Sequence, residues 1–136
     1  MGDLDIEKLE DAMLAQTEQV ECPLTHRFSD GVYVREIFMP QGTFVLGAEH
    51  KTKHLNVILM GRARVLVDGE VKEIRAPYTF ESEAGVRKVL YILEDMIWQT
   101  IHVNADDERN VEQLEARLVN YTKNALKHKE MEKLLS

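Results

Sequence analysis

The chain has 136 residues, of which 24 are Asp or Glu and 17 are Lys or Arg, giving a formal net charge of −7. That length accommodates one domain with a hydrophobic core, and 44% hydrophobic and 30% charged residues are typical of a globular protein. The acidic balance argues against a nucleic-acid backbone or an anionic membrane as the main partner.

Cys22 is the single cysteine, which excludes an intrachain disulfide. The N-terminal sequence is acidic and lacks an apolar signal core, and no apolar run approaches the length of a membrane span. We therefore expect a cytoplasmic protein with no membrane partner.

Residues 1–20 are predicted to form an N-terminal helix and a linker. Ile6, Leu9 and Met13 recur at the i, i+3, i+7 spacing of an amphipathic helix. Residues 18–30 contain Pro23 and a Ser-Asp-Gly turn sequence, so they are interpreted as irregular, with His26 near the rim of a pocket.

Residues 21–104 are predicted to form an all-β barrel. Gly61 separates two apolar runs, Asp68-Gly69 is typical of a hairpin turn, and a last hairpin is expected around Glu94-Asp95. Short strands with turns between them favour a jelly roll. The predicted strands are residues 32–39, 43–46, 55–60, 62–67, 71–75, 77–80, 88–93 and 96–103.

Residues 105–136 are predicted to be helical, as one long helix or as two helices with a break near Asn120. The periodicity changes after Asp106, where apolar residues recur at helical spacing. Such a stripe is interpreted as a contact with another subunit or domain. Its members are Val111, Leu114, Leu118, Tyr121 and Ala125.

The spacing from Gly42 to Gly61 resembles the first motif of the cupin superfamily. That motif is Gly, five residues, His, one residue, His, three or four residues, Glu, six residues and Gly. This chain has Gly42, five residues, Ala48, then His50, then His54, then six residues and Gly61. The resemblance covers residues 32–103 and implies a cupin-like jelly-roll barrel.

The metal ligands of cupins are only partly matched. Ala48 stands in place of the first histidine, His50 matches the second, and His54 stands in place of the glutamate. In the second cupin motif Gly85 fits, but Lys88 replaces the last histidine. Because a catalytic metal usually needs three protein ligands, we expect a degenerate site without a cofactor. The alternative is a divalent transition metal on His50 and His54.

Residues 20–103 are also similar to small cupin-like proteins of tailed bacteriophages. The similar segments are Cys22 to Phe28, Gly31 to Pro40, His50 to Gly61 and Trp98 to His102. This resemblance implies a phage-encoded protein, in the cytoplasm of the host, and no particular mechanism.

Alternation along the strands predicts a ligand site in the barrel. On the last strand the face with Trp98 is more polar and ligand-like than the face with Ile97, Gln99 and Ile101, and the sequence leaves open which face is internal. Imidazole, ammonium, amide and indole groups suit an anionic or planar small molecule. Equally, the histidines could bond neighbouring loops and the indole could be core. The predicted ligand-binding residues are His50, His54, Asn56, Lys88, Trp98, Thr100 and His102.

Three hypotheses for the function follow. The first is a non-enzymatic small-molecule-binding or assembly module, homo-oligomeric, including a virion structural or accessory protein. The second is a metal-dependent enzyme, such as a dioxygenase, isomerase or lyase, using His50 and His54. The third is a metal-free sugar-nucleotide epimerase or isomerase with a histidine base. The incomplete ligand set weighs against the second, and the lack of an evident His–Asp pair weighs against the third, so the first leads.

Overall fold

A computed structural model describes residues 20–67, 69–121 and 124–127, together with residues 8, 11, 12 and 15. Within these residues, strands account for most of the chain and a single short helix follows the barrel, so the prediction of an all-β core is confirmed. In chain order the elements are β1 (Leu24–Ser29), β2 (Val32–Met39), β3 (Thr43–Leu46), β4 (Glu49–His50), β5 (His54–Val67), β6 (Glu70–Arg75), β7 (Tyr78–Ser82), β8 (Val89–Val103), α1 (Val111–Leu118), β9 (Val119–Tyr121) and β10 (Asn124–Lys127).

The two long strands β5 and β8 pair antiparallel and organise the barrel. The second half of β8 pairs with β2, which in turn pairs with β1, whereas the start of β8 pairs with β3. On its other edge, β5 pairs first with β7 and then with β6. Each long strand therefore takes part in two groups of strands, as expected for a jelly roll.

Gly61 and the pair Glu94-Asp95 lie inside these long strands, so the predicted breaks there are wrong. The register between β5 and β8 shifts at three places between Ile58 and Ala63. Gly61 has a φ of 97°, and a Cβ on it would overlap the carbonyl oxygen of Asp95. Because a bulge bends a strand without reversing it, these residues mark a bend rather than a turn.

β1 is a strand that sequence reasoning missed, since residues 18–30 were expected to be irregular. It pairs antiparallel with β2 along its full length, with Leu24 opposite Ile37 and Ser29 opposite Val32. Pro23 lies just before the strand, where it does not interrupt the pairing.

The helix α1 is confirmed, but it ends at Leu118, which corrects the expected length of the C-terminal helical segment. Val119 is extended, with φ −124° and ψ 125°, and β9 pairs with β4. β10 then pairs with β3. Leu114 and Leu118 are buried against Tyr33, so this part of the predicted stripe packs on the chain's own barrel.

The remaining helical predictions lie largely outside the described residues. These are residues 128–136 and most of the N-terminal helix, of which Lys8, Asp11 and Ala12 are helical. Among the described residues, no helix combines the length and the apolar character that crossing a membrane requires.

Candidate metal and ligand site

Three histidines from three strands lie together inside the barrel. His50 comes from β4, His54 from the start of β5 and His102 from the end of β8, and their exposed fractions are 6%, 6% and 2%. The ring centroids are 4.4 Å apart for His50 and His54, 4.9 Å for His50 and His102, and 5.1 Å for His54 and His102.

Strand alternation brings two of them to the interior. His54, Asn56 and Ile58 of β5 are buried, while Leu55 between them is exposed. On β8 the buried face is the more polar one that carries Trp98, Thr100 and His102. The face with Trp98, Thr100 and His102 is therefore the one that lines the barrel.

His50 reaches the cluster by a different route. The two-residue strand β4 pairs with β9, and the register shifts between Glu49 and His50. The carbonyl oxygen of His50 also accepts a hydrogen bond of 2.9 Å from the backbone N–H of Gly85. The backbone of His50 is therefore held by the chain that follows α1 and by the loop before β8.

Hydrogen bonds fix which ring nitrogen of His54 is free. Its Nδ1 lies 2.9 Å from the carbonyl oxygen of Thr52. A carbonyl only accepts, so Nδ1 carries the proton and Nε2 keeps its lone pair.

The same logic applies to His102. Its Nε2 lies 3.2 Å from Oγ1 of Thr100, and that hydroxyl donates to the carbonyl oxygen of Arg35 at 3.4 Å. The hydroxyl therefore accepts from Nε2, and Nδ1 of His102 keeps its lone pair. Such contacts to the second ring nitrogen commonly orient histidine ligands of metals.

The donor atoms of the cluster fit a divalent transition metal ion. Nδ1 of His50, Nε2 of His54 and Nδ1 of His102 are buried without a hydrogen-bond partner, and one nitrogen from each ring lies within 4.8 Å of the others. Tetrahedral bonds of about 2.1 Å place donors about 3.4 Å apart, so the ring nitrogens would have to move together by about 1 Å to bind one ion. Imidazole nitrogens suit Zn, Cu, Fe and Ni.

Burial keeps these imidazoles neutral. It lowers the pKa of His50 to about 2, with further lowering by His54, His102, Arg35 and Lys88. It lowers the pKa of His102 to about 4, with further lowering by His54 and Arg35. Burial also lowers the pKa of His54, against the opposing effect of the Thr52 carbonyl. Metal ligation requires this neutral form.

The expectation of only two possible metal-binding side chains is wrong, because His102 is a third. The sequence placed it among the ligand-binding residues but not at a metal-binding corner, because the cupin motif put Lys88 there. The signal that could have found it was its parity with Trp98 and Thr100 on the last strand.

Asn56 and Trp98 meet beside the cluster. The indole N–H of Trp98 donates to Oδ1 of Asn56 at 2.9 Å, and Nδ2 of Asn56 donates to Oγ of Ser82 at 2.8 Å. Nζ of Lys88 donates to the same hydroxyl at 2.9 Å. Ser82 was not predicted, yet it joins three of the expected residues into one network.

A small cavity of about 60 Å³ lies next to the histidines. His50, His54, Lys88, Trp98 and Thr100 line it. Asn56 and His102, by contrast, are buried within hydrogen-bonded contacts around it. Since drug-sized ligands occupy roughly 300–1,000 Å³, this space suits an ion with a very small molecule.

Arg35 is a cavity residue that sequence reasoning missed. It is 6% exposed, and its Nε donates to Oε1 of Glu115 on α1 at 2.9 Å. The ion pair offsets a positive charge that would otherwise oppose a cation in the cavity. His26 lies outside the cluster, with its Nδ1 2.6 Å from the hydroxyl of Tyr33.

Comparison with solved structures identifies the architecture. A cupin superfamily protein from Desulfitobacterium hafniense superposes with a TM-score of 0.52 at 15% identity, covering 68% of this chain and 85% of that one. A cupin 2 conserved barrel domain protein from Salinispora arenicola gives 0.52 at 13% identity, covering 71% and 84%. The chain has the cupin fold. No family model and no curated protein matches the sequence.

The cupin-fold neighbours include an enzyme. The DMSP lyase DddQ from Ruegeria pomeroyi superposes with a TM-score of 0.51 at 14% identity, covering 66% of this chain. The chain matches about half of the length of that lyase, 49%. At these identities the likeness concerns the fold, which hosts many unrelated activities.

Proposed function

We propose that this cupin-fold chain binds a divalent transition metal ion on His50, His54 and His102 and acts as a metal-dependent enzyme on a small molecule. The observation that carries the proposal is the convergence of three buried imidazole nitrogens that have no hydrogen-bond partner. Leaving such groups unpaired in a protein interior is costly, and a metal ion would satisfy all three.

Three protein donors and an adjacent cavity are the pattern of catalytic rather than structural metal sites. A bound ion supplies Lewis-acid polarisation of a coordinated small molecule. The chain's own residues do the rest: Thr52 and Thr100 orient two imidazoles, and the ammonium group of Lys88 at the cavity wall favours an anionic end of the substrate.

Elemental analysis of the purified protein tests the proposal. We expect about one divalent ion per chain after incubation with Fe²⁺, Mn²⁺, Ni²⁺ or Zn²⁺ and gel filtration. His54→Ala and His102→Ala should each lose most of it, whereas His26→Ala, outside the cluster, should keep it. Wild-type protein that retains none of these ions would contradict the proposal.

A non-enzymatic binding module is the second candidate. The observation that favours it is the ammonium group of Lys88 at the cavity wall, which suits a small anion without a metal, whereas Glu115 offsets the charge of Arg35. Binding of a small carboxylate by chelator-treated protein, undiminished in His102→Ala, would support this candidate over the first. A phage origin and a place in the virion belong to this proposal and are supported by the sequence resemblance alone. A cytoplasmic location is proposed with them and is supported by the single cysteine.

We also propose that the chain forms a homo-oligomer through the outer face of β5 and β8. Leu55, Leu59 and Val103 are 44%, 52% and 83% exposed there, and exposed apolar surface is typical of protein contacts. Light scattering after gel filtration should show a multimer that Leu59→Lys dissociates and Val71→Lys, on β6, leaves intact. A wild-type monomer at high concentration would contradict it.

A further inference from the structure

A second, larger recess lies on the side of the barrel where β5 ends its pairing with β7 and continues with β6. This groove has a volume of about 490 Å³, within the size range of small-molecule sites, roughly 300–1,000 Å³. Val65 and Val67 of β5, Ile74 of β6 and Val86 of the loop before β8 give it an apolar lining.

One wall of the groove is aromatic. Tyr78 and Phe80 of β7 both line it, with ring centroids 5.2 Å apart and an angle of 23° between the planes. Tyr78 is 49% exposed. A solvent-accessible pair of stacked rings offers a surface for a planar or apolar body.

The acidic residues of the groove have ion-pair partners that lie outside its lining. Its acidic residues are held by cations that are not part of its lining: Glu73 by Arg62 at 2.9 Å, and Glu81 and Glu83 by Lys53 at 3.1 Å and 3.5 Å. These are exposed pairs of small energetic value, but they place a countercharge beside each carboxylate.

The cationic residues lie in the lining itself. They are Lys72, Arg75 and Lys88, and Nζ of Lys72 lies 3.6 Å from a carboxylate oxygen of Glu70. The lining thus carries three cationic and three acidic side chains. Because the acids lie beside cations outside the lining, an anion is attracted most strongly at the cationic residues within it.

Lys88 connects the groove with the histidine cavity, because it lines both. Its Nζ donates to Oγ of Ser82 at 2.9 Å and lies 5.9 Å from the ring centroid of Phe80. An anionic group attracted to this ammonium would lie at the inner end of the groove, next to the histidine cavity.

We infer that this groove binds an organic anion, with an apolar, partly planar body against Tyr78, Phe80 and Val67 and a carboxylate or phosphate at Lys88. The site differs from the histidine cavity and requires no metal, so it goes beyond the function proposed above.

Calorimetry with three probes tests the inference: phenylbutyrate, phenyl phosphate and the uncharged phenylbutanol. Trp98 is the single tryptophan and meets Phe80 edge-on at 5.7 Å between ring centroids, so its fluorescence provides a second readout. We expect at least one anion to bind about tenfold or more tightly than the alcohol, because charge-assisted hydrogen bonds are the stronger kind. The two anions distinguish carboxylate from phosphate recognition.

Variants locate the binding. Lys88→Gln should weaken the preferred anion about tenfold and leave the alcohol unchanged, and Val67→Phe should weaken both by filling the groove. Arg27→Gln, on β1, is the matched control and should change neither. Circular dichroism checks the fold of each variant.

Two results would overturn the inference. One is that neither anion binds more tightly than the alcohol, and the other is that Lys88→Gln and Arg27→Gln have equal effects. The same titrations on chelator-treated protein and on His54→Ala should be unchanged. Ligand binding in the groove is thus measured separately from metal binding by the histidines.

Discussion

Nδ1 of His54 lies 2.9 Å from the carbonyl oxygen of Thr52, and this contact leaves Nε2 as the atom directed to the histidine cluster. The backbone just before β5 therefore sets the tautomer of a side chain on β5. Thr100 does the equivalent for His102, but through a hydroxyl group that a substitution can remove.

Thr100→Val is expected to weaken metal binding about tenfold or more, because the loss of a contact that orients a metal-bound histidine typically costs 10- to 100-fold. Competition with a chromophoric chelator measures the affinity. Thr79→Val, on the exposed face of β7, is the control and should bind as wild type. Equal affinities for all three proteins would show that the hydroxyl does not position His102.

The stability of the metal-free protein is expected to fall as the pH is lowered from about 6.5 towards 4. His102 has a pKa near 6.5 when unfolded and about 4 when folded, so the unfolded chain binds more protons in this interval. Each pKa unit corresponds to about 1.4 kcal/mol, which makes the contribution of His102 on the order of 3 kcal/mol. Urea unfolding across this interval in wild type and His102→Gln measures it.

The variant should have the shallower dependence on pH. His50, with a folded pKa of about 2, should continue to lower the stability below pH 4 in both proteins. Parallel curves for wild type and variant would contradict the assignment of His102 as a buried neutral imidazole.

Gly61→Ala is expected to destabilise the fold by about 2–4 kcal/mol, because strain from a positive φ adds to steric overlap. Gly61 has a φ of 97°, and its added Cβ would meet Asp95 and lie 2.7 Å from Cα of Met96. Gly69→Ala is a matched control, since Gly69 has a φ of 76° but no atom within 4 Å of the added Cβ. It should cost about 1 kcal/mol. Equal losses in urea unfolding would exclude the overlap as the cause.

Leu114→Ala is expected to cost about 2–4 kcal/mol, since Leu114 is 1% exposed and packs with Tyr33 beneath α1. Thermal and urea unfolding measure the loss. Val71→Ala, at a side chain 62% exposed, should change stability by less than about 0.5 kcal/mol. A similarly small effect at Leu114 would mean that α1 is not part of the cooperative core.

The sequence predicted the barrel strands well where alternation is local. The bounds 32–39 and 43–46 match β2 and β3. It failed at Gly61 and at Glu94-Asp95, because residues that bend a strand and residues that reverse it are the same types. β9 was missed because Tyr121 continues the helical spacing of Leu114 and Leu118, and only pairing with β4 selects the extended state.

The candidate site was predictable in part for the same reason. The spacing of His50 and His54 can be recognised in the sequence because the two residues are close along the chain. Alternation along the strand correctly placed Trp98, Thr100 and His102 on one face. That His102 approaches His54 depends on the register between β5 and β8, which pairs Leu55 with Ile101. Register over such a sequence distance cannot be deduced from composition or motif spacing.

Because β4 pairs with β9, the position of the His50 backbone depends on residues that lie far along the chain. Trimming the protein after Leu118, or fusing a bulky tag that pulls on the following strand, would release the backbone that carries this imidazole. A deletion made to simplify the protein would then displace His50 from the histidine cluster. Metal content should therefore be measured on the full chain.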